Sequence, residues 1–256
     1  MTIDLRKNIE ETIAECLRTK FLNYKPKNNY MPFQHRLLGG DRLALYSFIH
    51  SLNTSFGMSV FEPVAVSLAK SHFAFADRQC VIGDEIFSDC NEAIEQIMND
   101  LEVSNRNPNR EDELLILRNS LLGETIKRKP TLVDLYLIDK EGKHWVFDMK
   151  SPKPNIGEFK GFKRTLLTWS AMAMTKKPDI DINALIAITY NPNHPKPYES
   201  WQMRGMLELD EIVVEREFWD FLGGEGSYDE LLDCFERVGI AMRDEIDDYF
   251  MRFNLK

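Results

Sequence analysis

The stretch TLVDLYLI-DKEGK-HWVFDMK, residues 131–150, decides the fold. Its two flanks are rich in β-branched, leucine and aromatic residues, and the segment between them is polar with Gly142 at its centre, so it reads as a β-hairpin. A turn over 139–143 sets Ile138 opposite His144, and that register carries Asp134 to a place directly across from Asp148. Their Cβ atoms would stand roughly 5 Å apart. Residues two apart on a strand share a face, so Asp148 and Lys150 point together while Phe147 and Met149 point away. A slip of one residue would scatter the group. Two carboxylates that close repel one another unless positive charge lies between them. Lys150 supplies part of it, and Mg2+, which takes oxygen ligands and keeps several waters, would supply the rest. A metal holding a phosphate oxygen and a water polarises phosphorus and acidifies the water, and Lys150 could orient or deprotonate that water. The chemistry implied is phosphodiester hydrolysis. A solvated Asp–Lys sheet face is the plainer alternative. Against it, both aspartates interrupt runs that otherwise read as buried, and an acid in such a run needs a partner or a metal.

Working outward, the spacing of apolar residues predicts helices over 3–22, 42–55 (with Asp41 as its cap), 60–77, 86–103 and 112–122. Proline and glycine pairs mark the loop before Asp41. After the hairpin come a helix over 157–175, a third strand ALIAITY (184–190), and helices over 218–222, 228–238 and 240–253. The fold class is α/β (α+β), a small mixed sheet flanked by helices with a helical N-terminal half. The division expected is a mainly helical region 1–124 packed on a core 125–256.

The chain has 256 residues, 43% hydrophobic and 29% charged, which excludes wholesale disorder. No run of 18 apolar residues is present, so no membrane partner is expected, and the acidic, amphipathic opening MTIDLRKNIEETIAEC lacks the apolar core of a secretory signal. A cytoplasmic protein is expected. Cys16, Cys80, Cys90 and Cys234 show no zinc-site spacing, and the five histidines are scattered. No Walker, GxGxxG or GxSxG element occurs.

The net charge of −9 hides an uneven distribution. Residues 125–200 carry 13 basic and 8 acidic side chains, net +5, while 201–256 are net −9. Phosphate binding depends on the local field within a Debye length of roughly 8 Å. Lys127, Arg128 and Lys129 lead into the first hairpin strand, and Lys153, Lys160, Lys163 and Arg164 follow the second, so both groups flank the proposed metal site. The exit Ser151-Pro152-Lys153-Pro154-Asn155 is stiffened by two prolines and could hold Asn155 against DNA. Past the third strand, Asn193 and His194 lie in a proline-rich loop followed by Arg204, and these side chain types read base edges.

Pro130, Asp134 and Asp148-Met149-Lys150 resemble the PD-(D/E)XK nuclease signature, with Val133 where the signature often has proline. FDMKSPKPN, GFKRTLLTW, ITYNPNHPKPY, the segment from Glu217 to Phe250 and LLGGDRLALYSFIHSLNTSFGMSVFEPVAVSLAK resemble the TdeIII type of type II restriction endonuclease. The resemblance implies a restriction-endonuclease-like core and a Mg2+-dependent enzyme that cuts short palindromic duplex DNA to 5′-phosphate ends as a homodimer. It also implies a separate cognate methyltransferase in the same system, and hints at a GG…CC-type site. Asp134, Asp148 and Lys150 carry over to the family's catalytic positions. Some nucleases of the superfamily add a helix-borne glutamate near the metal, which makes Glu124 a candidate ligand. The alternatives are a repair or recombination nuclease that reads DNA structure, and a non-catalytic DNA-binding protein of the same fold.

Overall fold

A computed structural model describes residues 1–25, 31–150, 152, 156–198 and 205–251. The chain forms two compact units, residues 1–67 with 226–256, and residues 68–225. The sequence predicts a division at 124/125 instead.

The first unit is helical: α1 (Ile3–Asn23), α2 (Pro32–Leu38), α3 (Gly40–Phe56), a π-helical turn (Gly57–Phe61) and most of α4 (Glu62–Ala69), joined by α9 (Ser227–Ala241) and α10 (Arg243–Met251). Along α1, Ile9 and Ile13 are buried, at 0% and 3% exposure, whereas Ile3 at the start of the helix is exposed. Phe21 stacks on Tyr249 at 4.2 Å between ring centroids, and Phe48 lies 5.0 Å from the same ring. At the rim, Arg18 makes a two-pronged contact with Glu245 at 2.9 and 2.6 Å. Asp41 does not cap α3: it sits inside the first turn, and the cap position is Gly39, at φ 87°.

The second unit holds a five-stranded sheet in sequential order: β1 (Phe75–Phe87), β2 (Thr125–Ile138), β3 (His144–Lys150), β4 (Ile182–Ile188) and β5 (Ile212–Val214). β1, β2 and β3 are antiparallel neighbours, whereas β3, β4 and β5 run parallel. Parallel pairing of β3 and β4 requires a crossover, and α7 (Ile156–Lys176) provides it. With α5 (Ser88–Glu102) and α6 (Arg110–Asn119), α7 contributes to the main core, in which Ile97, Met98, Leu117, Val146, Leu166 and Ile186 are all buried. On the opposite face of the sheet, α8 (Arg216–Gly223) sets Phe218 and Phe221 against Phe147 at 5.5 and 6.0 Å. α7 also packs on β1, and Gly83 permits the approach: a Cβ there would lie 2.6 Å from Met172 Cβ.

The predicted helix over 60–77 is corrected. Helix ends at Ala69, and residues from Phe75 onward form the 13-residue strand β1. β1 is an edge strand, half exposed along its length, with Asp77, Arg78, Gln79, Asp84 and Glu85 in it. That polarity removes the period-two signal by which buried strands are recognised. β5, three residues long, also went unread.

Candidate active site

The hairpin register is the one expected. Ile138 pairs with His144, and the ladder runs through Leu137↔Trp145 and Tyr136↔Val146 to Leu135↔Phe147. Asp139 fixes the turn: its Oδ1 accepts from the backbone N–H groups of Glu141 and Lys143, and its Oδ2 from Trp145 Nε1. The next step beyond the ladder is Asp134 and Asp148. There the pairing gives way to a side-chain contact, in which the Met149 N–H donates to Asp134 Oδ2 at 2.8 Å. The two carboxyl groups lie close enough to act on one another by charge and hydrogen bond.

Lys150 shares the face of Asp148, and its Nζ lies 2.6 Å from Asp148 Oδ1. The Phe162 ring of α7 sits 5.5 Å below the ammonium. On β4, the partners of Asp148 and Lys150 are Ile186 and Ile188, both buried. This apolar bed explains the electrostatics. Asp148 is only 7% exposed, and burial pushes its carboxyl up from 3.8 to about 6, despite the opposing pull of Lys150; the neighbouring Asp134 adds to the rise. One ammonium set beside two acids leaves the group short of positive charge. Its donors are carboxylate oxygens, so they suit a hard divalent cation such as Mg2+. Among the described residues no set of three or more His, Cys, Asp or Glu side chains could hold a metal.

Glu124 is not brought to this pair. It ends no helix, since α6 stops at Asn119, and it lies exposed just ahead of β2, ten strand residues from Asp134. At about 3.3 Å per residue that distance is far beyond a shared metal. Lys163 is a second correction. Instead of facing solvent it is fully buried on α7, where its Nζ donates to Glu113 of α6 and to both carboxylate oxygens of Glu211 at 2.8 Å. The helical face that carries Lys163 inward also carries Phe159, Leu166 and Leu167, which are equally buried.

The other basic candidates stay at the surface. Lys127, Arg128 and Lys129 are exposed on the outer half of β2, with Arg128 donating to Asn91 Oδ1 at 2.5 Å. Lys160 is half-exposed and paired with Glu102 at 2.6 Å, and Arg164 pairs with Glu95. Asn193 and His194 are exposed in a loop braced by Asn191, whose N–H donates to Glu215 Oε2 at 2.7 Å and whose Nδ2 donates to Lys196 O at 2.7 Å. Lys153, Asn155 and Arg204 lie outside the described residues.

Sequence reasoning missed one neighbour of the pair. Gln79 of β1 donates from Nε2 to Asp134 Oδ1 at 3.3 Å. It does so from a backbone at φ 53°, a left-handed conformation that costs a non-glycine residue about 1–3 kcal/mol. No motif marks Gln79; only recognition of β1 as a strand would have found it.

Comparison with known proteins adds an independent finding. The family model of the HinfI type II restriction endonucleases matches residues 1–239. The type II restriction enzyme MjaII of Methanocaldococcus jannaschii is 29% identical over 210 residues, which cover 77% of this chain and 55% of that enzyme. The chain thus spans little more than half of MjaII. The type II restriction enzymes HgiCII and HgiEI of Herpetosiphon aurantiacus are each 27% identical over 220 residues, covering 84% of this chain and 80% and 79% of theirs. These matches agree with the type II class that the sequence resembles, while the finer TdeIII likeness rests on the segments quoted above.

Proposed function

The chain belongs to the HinfI family of type II restriction endonucleases, and from that premise we propose that it is a Mg2+-dependent, sequence-specific endonuclease of duplex DNA, acting in a restriction–modification system. The observation that carries the reading is the meeting of Asp134, Asp148 and Lys150 on one face of β2 and β3. Asp134 and Asp148 would hold the cation between them. When bound, it supplies charge for the reacting phosphate and a more acidic water. Lys150 hydrogen-bonds and orients the attacking water, and its ammonium faces the negative charge that gathers on the pentacovalent phosphorus. Water oxygen bonds to phosphorus and sheds a proton to solvent, the P–O3′ bond breaks, and the 3′ oxygen takes up a proton from solvent, which leaves 5′-phosphate and 3′-hydroxyl ends. The apolar bed of Ile186 and Ile188 lowers the local dielectric and strengthens each of these interactions.

Around this centre, Lys127, Arg128, Lys129, Lys153 and Lys160 would contact phosphates, and Asn155, Asn193, His194 and Arg204 would read or position the bases. Glu124 and Lys163 have no part in this assignment. Among the described residues the chain carries one such centre, so cutting both strands of a palindrome calls for two copies, a homodimer in solution or on DNA. The cognate methyltransferase would be a separate cytoplasmic protein.

The test is digestion of a sequenced plasmid with the protein and Mg2+, with the cut ends mapped and a folded Asp148→Ala variant run beside it. Discrete fragments with 5′-phosphate ends, lost in the variant, are expected. A smear, cutting only at branched junctions, or full activity in the variant would refute the reading.

A further inference from the structure

β1 adds a residue to the site. Arg78 stands opposite Leu135 and Cys80 opposite Val133, so the step between them sets Gln79 opposite Asp134. Gln79 leaves the strand conformation at that step, with φ 53°. Glycine would adopt this backbone without strain, and a long side chain adopts it rarely. The side chain is put to use: the Nε2 amide donates to Asp134 Oδ1 at 3.3 Å. From the other neighbouring strand the Met149 N–H donates to Asp134 Oδ2 at 2.8 Å. Asp134 is therefore gripped on both oxygens, by a neutral donor from each side. Each oxygen keeps a lone pair after one hydrogen bond. Lys150 treats Asp148 differently, since it brings a full positive charge to that carboxylate.

We infer that Gln79 is a positioning residue of the active site, which locks the rotation of the Asp134 carboxylate so that it and Asp148 can share one divalent cation. This rests on the reading of Asp134 and Asp148 as the cation's ligands. A ligand ordered in advance loses less freedom when the cation arrives, and partners that orient metal ligands are worth about 10–100-fold in metal affinity. The left-handed backbone is the cost of turning an edge-strand side chain across to β2.

The experiment compares wild type, Gln79→Gly, Gln79→Asn and Asp134→Asn. Gly and Asn both suit the backbone, and neither keeps an amide long enough to reach Asp134. Binding of Mn2+ alone is measured by electron paramagnetic resonance of the free ion, alongside the melting temperature and the Mg2+ concentration that gives half-maximal cleavage. Gln79→Gly and Gln79→Asn should melt at or above the wild-type temperature, bind Mn2+ at least about tenfold more weakly, and need correspondingly more Mg2+. A merely structural role for Gln79 would lower the melting temperature and leave both metal readouts alone. Wild-type Mn2+ affinity and an unchanged Mg2+ requirement in both variants would overturn the inference. If Asp134→Asn also binds Mn2+ as wild type does, or wild type binds none, the ligand assignment itself falls; if only Asp134→Asn loses the ion, the role of Gln79 alone falls.

Discussion

Two places in the second unit each bring one lysine to two carboxylates, and the proposed function gives them opposite work. Lys163, Glu113 and Glu211 tie α7 to α6 and to the short 3-10 turn Leu209–Glu211 that leads into β5. All three are buried, and the ammonium makes hydrogen bonds to both acids. Lys150, Asp148 and Asp134 use the same residue types at the end of the hairpin. There the lysine side chain is one-third exposed and pairs with Asp148, while Asp134 is held by the neutral donors Met149 N–H and Gln79. The first group is closed, with its hydrogen bonds directed inward. The second is open on one side and short of positive charge, which is the condition for receiving a cation and a phosphate. Residue composition does not separate a structural triad from a chemical one; access and unspent bonding capacity do.

The sharpest way to break the comparison is to remove each lysine. Lys150→Ala should lower the cleavage rate by at least about a thousandfold, the scale of several kcal/mol of transition-state stabilisation, with the melting temperature little changed. Single-turnover digestion of a plasmid measures it, and cleavage within tenfold of wild type would put the chemistry elsewhere. Lys163→Met should do the reverse. Taking one member from a buried ionic group costs about 3–5 kcal/mol, because Glu113 and Glu211 are left buried without their cation. Urea unfolding reads the loss, and the folded fraction should still cut DNA.

A smaller effect concerns pH. Asp148 is raised in the fold to about 6 from 3.8, so between those values the folded state holds a proton that the unfolded chain has released. Stability from this group is therefore full below about pH 4 and is lost as pH rises through about 6, by roughly 3 kcal/mol at most. Asp139, Glu95 and Glu230 are shifted down by Trp145, by Arg164 and by the N-terminal amine respectively, and they pull the other way. The readable quantity is thus the stability of wild type minus that of Asp148→Asn, which should fall between pH 4 and pH 7 and then level off. A flat difference would mean that Asp148 is not held in a desolvated site. The smallest expected change lies outside both groups: reversing the charge of Lys127, Arg128 and Lys129 together should weaken binding to cognate and scrambled duplexes alike, and lower the slope of log affinity against log salt by about 3. An unchanged slope would remove that stretch of β2 from the DNA surface.

Much of this arrangement was legible in the sequence, for reasons that differ from one element to the next. The hairpin could be read to the residue because a polar five-residue turn with Gly142 separates two apolar strands, and that fixes Ile138 against His144. Asp134, Asp148 and Lys150 then follow from strand geometry alone. The helices α1, α5 and α7 were legible because each has an apolar stripe. Lys163 was misread because a lysine in a basic cluster gives no sign of the two glutamates, 50 residues before and 48 after, that meet it in the fold. Glu124 is misplaced by the sequence because its distance from Asp134 depends on β2 beginning at Thr125, whereas the strand pattern starts at 131. Gln79 stayed hidden with β1, an edge strand whose polar residues carry no alternation.

The central claim is that the Asp134–Asp148–Lys150 group gives up stability in order to bind a cation and cut DNA. Asp148→Asn tests it most directly, since it keeps the shape and removes the charge. With cleavage and melting temperature both measured at pH 7.5 in the same preparation, a protein at least as stable as wild type that leaves plasmid DNA intact is expected in the presence of Mg2+. A variant that melts well below wild type, or that still cuts at the wild-type rate, would contradict it.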